Sequence, residues 1–511
     1  MPVRVTTAEQ AAARDAAAIS AGTASWALMQ AAGTSTAQVI LQRFPEVRIS
    51  GAIIYAGRGN NGGDAYVVAR VLAEARCPVS VVAVGEPGTD DARRAQIEAL
   101  TVVSEVSDPQ RPCVIVDGLL GVGITGDARA DIAEHIRAIA EWRGQGAAVV
   151  ALDIPSGMDA ATGAGGVVVR ADLTCAYGTV KRGLLLRRDE AGEILCLDIG
   201  LGPHAGIPDQ APILIDAEWV RDAIPAIPAD AHKGVRRRLA IVGGGEGMAG
   251  APMLAARGAM RSGIGMVQLL VSPNNVPVVQ AALPETMAAR WPVTAEDQGR
   301  VLGWTHTLLI GPGLGRTTMT RALVERLLVE WKGPVVLDAD ALNVFEGEPR
   351  TLGSLLGARP AIVTPHPVEA GRLLRRSGAM VSAERFTVGL ELAKQLGATV
   401  LLKGVPTVVS SPDGRVAVSA AGSPTLGTAG SGDVLGGIVA TLLAQTGDPF
   451  AAAASAAWVH GRAGENAASQ GSVRGSSLED VVVALREVWR LDDPLPPHPV
   501  LATLPSTGRA R

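Results

Sequence analysis

The feature that most constrains this chain is a repeated alternation. Short, continuously apolar runs rich in β-branched residues, most of them ending in Gly or Asp, are separated by stretches of helical periodicity. In the first part the runs lie at 50–57, 79–85, 113–118 and 147–153, with helical patterns such as 64–75 and 128–142 between them. Strands that are apolar along their whole length are buried on both faces, so the pattern predicts a parallel sheet with right-handed helical crossovers. Between 200 and 233 the alternation fails at Pro203, Pro208, Pro212, Pro225 and Pro228. A second series follows at 238–244, 306–313, 334–340, 361–365 and 398–404, closing with helical stretches from Gly432 onward. No motif of the first series recurs in the second at a fixed period, so the expectation is two different α/β domains, 1–212 and 213–491. Residues 492–511, with Pro494, Pro496, Pro497, Pro499 and Pro505, read as a disordered tail.

Composition narrows the class of function. Of 511 residues 47% are apolar and 19% charged, enough to build sizeable cores. A net charge of −4 gives no polyelectrolyte attraction to nucleic acid or anionic lipid, so any phosphate binding must be local. The charge-free stretch 263–284 is broken by Pro273 and Pro277, which argues against a membrane span. Cys77, Cys113, Cys175 and Cys196 form no Cys-x-x-Cys pair and read as buried thiols in a reducing compartment. Arg4, Glu9, Arg14 and Asp15 deny the first residues the apolar core of a signal peptide, and a cytoplasmic protein is expected.

Chemistry concentrates where the runs end. The first run enters GRGNNGGD, whose glycines allow tight turns before a helix expected to open near Asp64. The sequence is neither a P-loop nor a regular dinucleotide fingerprint, and a Gly-rich turn with an Asp cap is its plainer reading. VDGLLGVG and DIPSG place Asp117, Asp153 and Ser156 at two further strand ends. Three polar strand ends at one edge of a parallel sheet make the usual site of an open α/β fold.

In the second half, GTAGSGDVLGG sets Gly432 and Asp433 at the start of a helix, where amide N–H groups cradle anions and Asp433 serves as a base or simply as a cap. Lys403 and Thr407, in KGVPT, offer a phosphate partner and a hydroxyl. Asp338, Asp340 and Asn343 either orient a metal-bound nucleotide or cap a helix. His366 is a substrate contact or a turn residue, and His232 with Lys233 a phosphate contact or a solvated linker.

NNGGD, VDGLLGVG and DIPSG resemble the NAD(P)H-hydrate epimerase domain of the bifunctional NAD(P)H-hydrate repair enzymes, over about residues 5–215. The chain departs from the usual pattern at Ala65 and Ala56. GPGLG, TPHPVEAGRLL, KGVPT and GTAGSGDVLGG are similar to the NAD(P)H-hydrate dehydratase domain, of the ribokinase-like superfamily, over about 213–490. The resemblance implies an N-terminal Rossmann-like three-layer αβα domain and a C-terminal ribokinase-like αβα domain, an isomerase joined to a lyase. It implies a potassium ion at Asn61, Asp117 and Ser156, whose hard oxygens suit an alkali cation. It places the hydrated dinucleotide on Asn60, Asn61, Gly62, Gly63, Asp64, Gly121, Val122, Gly123, Ile124, Thr125, Gly126, Asp127 and Asp153. In the second domain it places the same substrate on Ala251, Gly315, His366 and Asp433. ADP with Mg2+ falls to Lys403, Gly404, Val405, Pro406, Thr407 and Gly432.

Expected partners are therefore NADHX, NADPHX and ADP, with neither nucleic acid nor membrane, in a homo-oligomer. Asp153, otherwise a strand-end cap, is the candidate proton carrier of epimerisation, and Asp433 the base of dehydration. The competing readings are a vitamin or sugar kinase fused to a nucleotide-binding regulatory module, and a non-catalytic dinucleotide sensor.

Overall fold

The computed structural model describes residues 2–123, 126–202, 211–492 and 496–506. Each half is built on its own sheet. In the first, the strand order is Val500–Leu504, Glu193–Leu197, Leu173–Tyr177, Ala148–Leu152, Val114–Gly118, Ala52–Ala56 and Val79–Ala83. All neighbours are parallel except Val500–Leu504 against Glu193–Leu197. The apolar strands are covered on both faces. Ile54, Val116, Val150 and Leu152 pack beneath the helices Ser25–Arg43 and Asn60–Glu74, while Ile115, Val149 and Ala151 pack against the helix Ala130–Gly144. This is the expected three-layer αβα arrangement.

The second half contains a ten-stranded sheet, parallel through its first seven strands from Met287–Arg290 to Thr399–Leu402. An antiparallel pair, Thr407–Ser410 and Val416–Ser419, and the short strand Ile213–Leu214 complete it. Helices Gly250–Arg261, Ser431–Thr446 and Pro449–Gln470 cover one face, and Thr318–Glu330 and Arg385–Leu396 the other.

In each sheet the strand order reverses at one place, between Ala52–Ala56 and Val114–Gly118 in the first and between Arg238–Val242 and Thr307–Ile310 in the second. The crevice outside the carboxyl ends of such a pair of strands is where open α/β sheets bind ligands.

Two expectations are corrected. The tail is not wholly disordered, because Val500–Leu504 adds an edge strand to the first sheet. Its alternate residues Ala502 and Leu504 pack on the core shared by both halves, so the burial of a short apolar period outweighs the local proline content. Residues 493–495 and 507–511 of that tail lie outside the described residues. The second correction concerns the NNGGD segment. It is not a loop before a helix at Asp64; the helix starts at Asn60 and runs to Glu74. Its glycines permit close packing: a Cβ on Gly62 would stand 1.9 Å from the Gly57 carbonyl oxygen, and one on Gly63 would stand 2.5 Å from Met29 Cε. Ala65 is then an ordinary buried helical residue.

The halves share a core. Val3, Val5, Ile154, Met158 and Val180 pack with Leu214, Phe386, Val408 and Val418. Of the four thiols, Cys77, Cys175 and Cys196 are buried as expected, whereas Cys113 is only partly covered. Among the described residues no helix is long and apolar enough to cross a membrane.

Candidate active sites

A cleft of about 520 Å³ opens at the switch point of the first sheet. Asn60, Asn61, Asp64, Gly121, Val122, Gly123 and Asp153 line it. Gly62 and Gly63 do not; they face the packing contacts that let the helix begin there. Asp127 also stands apart, accepting a hydrogen bond from the Gly166 N–H at 2.8 Å, next to an exposed Gly126. Ile124 and Thr125 lie outside the described residues.

Asp153 ends the strand Ala148–Leu152 with φ +60°, a left-handed conformation that is costly for a non-glycine residue and is tolerated where the surroundings enforce it. Its Oδ1 accepts the Tyr177 N–H at 2.9 Å and is ion-paired with Lys181 Nζ. Asp153 thus ties two strand ends together while remaining on the cleft wall. Lys181 is only 1% exposed and also donates to the Tyr177 carbonyl at 3.2 Å. Asp64, nearby, is a different kind of carboxyl. Burial, with the Asp153 and Asp15 charges adding to it, pushes Asp64 well above the usual carboxylate range. Lys181 and Asp15 line the same cleft and were missed from sequence. The available signal for Lys181 was a lone ammonium in the apolar run from Leu173 to Leu186.

Asn61, Asp117 and Ser156 meet around Leu120. Asp117 Oδ2 accepts the Ser156 N–H at 2.8 Å, and its Oδ1 accepts the Ser156 hydroxyl at 2.5 Å. The Asn61 amide donates to the Leu120 carbonyl at 2.8 Å, which leaves the Asn61 side-chain oxygen uncommitted by that bond. Burial, opposed by the Ser156 hydrogen bonds, moves Asp117 up to about 6.

In the second half, groups beyond the carboxyl ends of the strands Val335–Leu337, Ala361–Val363 and Thr399–Leu402 converge on Lys403. Its Nζ donates to Asp338 Oδ1 at 2.8 Å and lies 3.9 Å from Glu369 Oε2. A Cβ on Gly432 would come within 3.3 Å of that nitrogen, so glycine lets the ammonium approach the start of the helix Ser431–Thr446. Gly430, at φ +93°, turns the chain into that helix, and Asp433 sits in its first turn. Burial, reinforced by Asp338 and opposed by Lys403, raises Asp433 to about 7. Lys403 itself is pulled down by burial but held above its usual value by Asp338 and Glu369.

The Asp338 to Asn343 cluster divides its work. Asp338 pairs with Lys403, whereas Asp340 accepts the Gly315 N–H at 2.9 Å and so holds the GPGLG loop. Gly313 lies against Ala251, where an added Cβ would meet the Ala251 Cβ at 3.1 Å, so Ala251 and Gly315 border the same loop. His366 is a helix N-cap: Nδ1 accepts the Glu369 N–H at 3.0 Å, and the half-exposed ring reaches the lysine cluster through Glu369. His232 caps its own turn by accepting the Gly234 N–H at 3.1 Å, and both His232 and Lys233 keep to the linker between the halves.

Lys403, Gly404, Val405, Pro406, Thr407 and Gly432 all line a second cleft, of about 730 Å³. His460, buried against Ser431 and lowered to about 4 by burial and the Lys403 charge, belongs to the same wall and was not foreseen.

Comparison with known proteins follows the same division. A family model described as NAD(P)H-hydrate dehydratase matches residues 239–485, and one described as YjeF-related protein N-terminus matches residues 25–183. The chain is 34% identical to the bifunctional NAD(P)H-hydrate repair enzyme of Moorella thermoacetica over 91% of its length and 92% of that protein. It is 32% identical to the corresponding Escherichia coli enzyme, over 90% of this chain and 89% of that one. Among solved structures, the ADP/ATP-dependent NAD(P)H-hydrate dehydratase from Bacillus subtilis, co-crystallised with ATP/Mg2+, is 29% identical with a TM-score of 0.47. That likeness covers 54% of this chain and 97% of the Bacillus chain.

Proposed function

The chain belongs to the bifunctional NAD(P)H-hydrate repair enzymes, an epimerase joined to a dehydratase, and from that premise we propose which groups carry each reaction. The first cleft epimerises the C6 hydrate. This hydrate is a hemiaminal: the ring nitrogen expels the hydroxyl as water once it is protonated, and water returns to the other face with loss of a proton. Asp64, whose burial favours the protonated form, supplies the proton, and Asp153 on the same wall accepts one. Lys181 fixes Asp153. Asn60, Asn61 and the loop Gly121–Gly123 border the dinucleotide, and Arg58 and Arg129 bring positive charge to its phosphates.

A potassium ion fits the cluster beside this cleft. Asn61 presents an uncommitted oxygen, Ser156 a hydroxyl and Asp117 one carboxylate, a set of hard donors with low total charge that suits a monovalent ion. The ion would orient the start of the Asn60–Glu74 helix.

The second cleft dehydrates the S hydrate with ADP. Asp433 takes the C6 hydroxyl proton as the β-phosphoryl group passes to that oxygen and AMP leaves. The ring nitrogen then expels phosphate from C6, and loss of the C5 proton restores the double bond of NADH or NADPH. Gly432 and the helix start face the transferring group, with Lys403 beside them. Mg2+, brought with the nucleotide, would neutralise phosphate charge as the phosphoryl group transfers. The observation that carries this assignment is Asp433, raised to about 7 next to Lys403 at a helix N-terminus. The test supplies mixed R and S hydrates with ADP and Mg2+ and follows the return of reduced-nicotinamide absorbance. Complete conversion is expected; no ADP-dependent recovery would refute the reading.

A further inference from the structure

One polar side chain in the wall of the second cleft has no part in the chemistry above. The helix Pro449–Gln470 is buried along most of its length among alanines, and His460 is the one titratable side chain among its buried residues. Gly461 brings the helix in close: a Cβ there would stand 2.4 Å from the Ala421 carbonyl oxygen, so this turn packs directly on the chain leaving the strand Val416–Ser419. His460 is 7% exposed, and Ser431 holds its ring, with 3.3 Å between Nε2 and the Ser431 hydroxyl oxygen. The Ser431 backbone adds to that contact. The other ring nitrogen, Nδ1, has no hydrogen-bond partner of its own among the described residues, yet it is not sealed from solvent. The space it opens on is the second cleft, which His460 lines together with Ser431. A half-satisfied imidazole on an otherwise apolar helix face costs stability unless a ligand completes it.

The place of the ring selects the part of the ligand it would meet. Ser431 directly precedes Gly432, where a Cβ would come within 3.3 Å of Lys403 Nζ, so His460 stands at the Lys403 end of the cleft. The Lys403 charge reaches the ring and, with burial, keeps it neutral. A neutral imidazole has one N–H donor and one acceptor nitrogen. Ionised phosphate oxygens only accept, so the tautomer that fits has the Ser431 hydroxyl donating to Nε2 and the ring proton on Nδ1.

We propose that His460 touches the nucleotide of the dehydratase, its Nδ1–H donating to a phosphate oxygen of the bound nucleoside diphosphate while Ser431 holds the ring. The inference rests on the reading of this cleft as the ADP site. It gives the helix start at Ser431 a side-chain donor beside the Gly432 amide.

Calorimetric titration of the full chain with ADP and Mg2+, and separately with inorganic pyrophosphate and Mg2+, tests it with two amides that each replace one ring nitrogen. His460→Gln reaches the place of Nε2 and keeps a partner for Ser431, but leaves no donor where Nδ1 stood. His460→Asn keeps an N–H where Nδ1 stood and abandons Ser431. His460→Gln should weaken ADP and pyrophosphate about tenfold each, and His460→Asn should bind both nearly as the parent does. The melting temperature and retained epimerisation report that each variant is folded. Stronger loss in His460→Asn than in His460→Gln, or equal loss in both, would overturn the proposal, because His460 would then serve only to hold Ser431 or to fill space. Weakened ADP with unchanged pyrophosphate in His460→Gln would also overturn it, since the contact would then fall on the base or ribose. Lys403→Met should weaken both ligands. If it does while both His460 variants bind normally, the proposal fails and the nucleotide site stands. If Lys403→Met binds ADP as the parent does, the cleft is not the nucleotide site and both readings fail.

Discussion

Replacing Asp433 by Asn should damage the enzyme and strengthen the fold, and the two effects share one cause. In the unfolded chain this carboxyl titrates near 3.8, and in the folded protein near 7, because it is buried beside Asp338. Below about pH 4 both states hold the proton, and Asp and Asn should confer the same stability. As pH rises from about 4 to about 7 the unfolded chain gives up its proton while the folded one retains it, so the native protein loses stability relative to the variant. Above about pH 7 the penalty is constant. A shift of roughly three units corresponds to ~4 kcal/mol as an upper bound, reduced by solvent at a partly exposed carboxylate and by Lys403. Asp433→Asn should therefore melt several degrees higher than the parent at about pH 8 and at the same temperature at about pH 4. Because an amide cannot take the C6 hydroxyl proton, dehydration should fall about 100-fold or more, and the parent rate should rise with pH on a limb near 7. Scanning calorimetry at the two pH values and a pH–rate profile measure both. A variant that melts lower at about pH 8, by the ~1 kcal/mol of a lost helix cap, and keeps its activity would refute the argument.

Three further outcomes follow from the first half and the tail. Asp64→Asn should slow R-to-S exchange about 100-fold, since an amide has no carboxyl proton to supply, while dehydration of pure S hydrate is unchanged; normal exchange would remove Asp64 from the chemistry. Epimerisation should be faster in potassium than in a bulky organic cation for the parent and should lose that dependence in Asp117→Ala; equal rates in all four combinations would mean that Asp117 only secures Ser156. Truncation after Asp492 removes the edge strand Val500–Leu504 and the carbonyl that Arg188 binds, and should cost on the order of 2 kcal/mol of stability. An unchanged melting temperature would show that the strand contributes nothing.

Sequence by itself determined the two sheets, because strands buried on both faces must be apolar along their length and the Gly- and Asp-bearing strand ends can only lie at one edge of a parallel sheet. It also located both clefts, since NNGGD, the Asp117 and Asp153 strand ends, KGVPT and the Gly432-Asp433 helix start are local signals with local causes. What it could not determine rests on contacts between distant residues. The glycines at 62 and 63 looked like loop formers, and only their approach to Gly57 and Met29 shows them to be helical. Lys181 and Asp64 are buried beside Asp153, a residue far away in the chain, and no local signal marks that. Val500–Leu504 looked like tail until the free edge of Glu193–Leu197 gave it hydrogen bonds and a core to cover. Arg188 sits in an unremarkable Arg-Arg-Asp-Glu run, and only the packing of one half on the other buries it beside the second cleft. Periodicity is encoded along the chain, whereas desolvation and pairing depend on what the fold brings near.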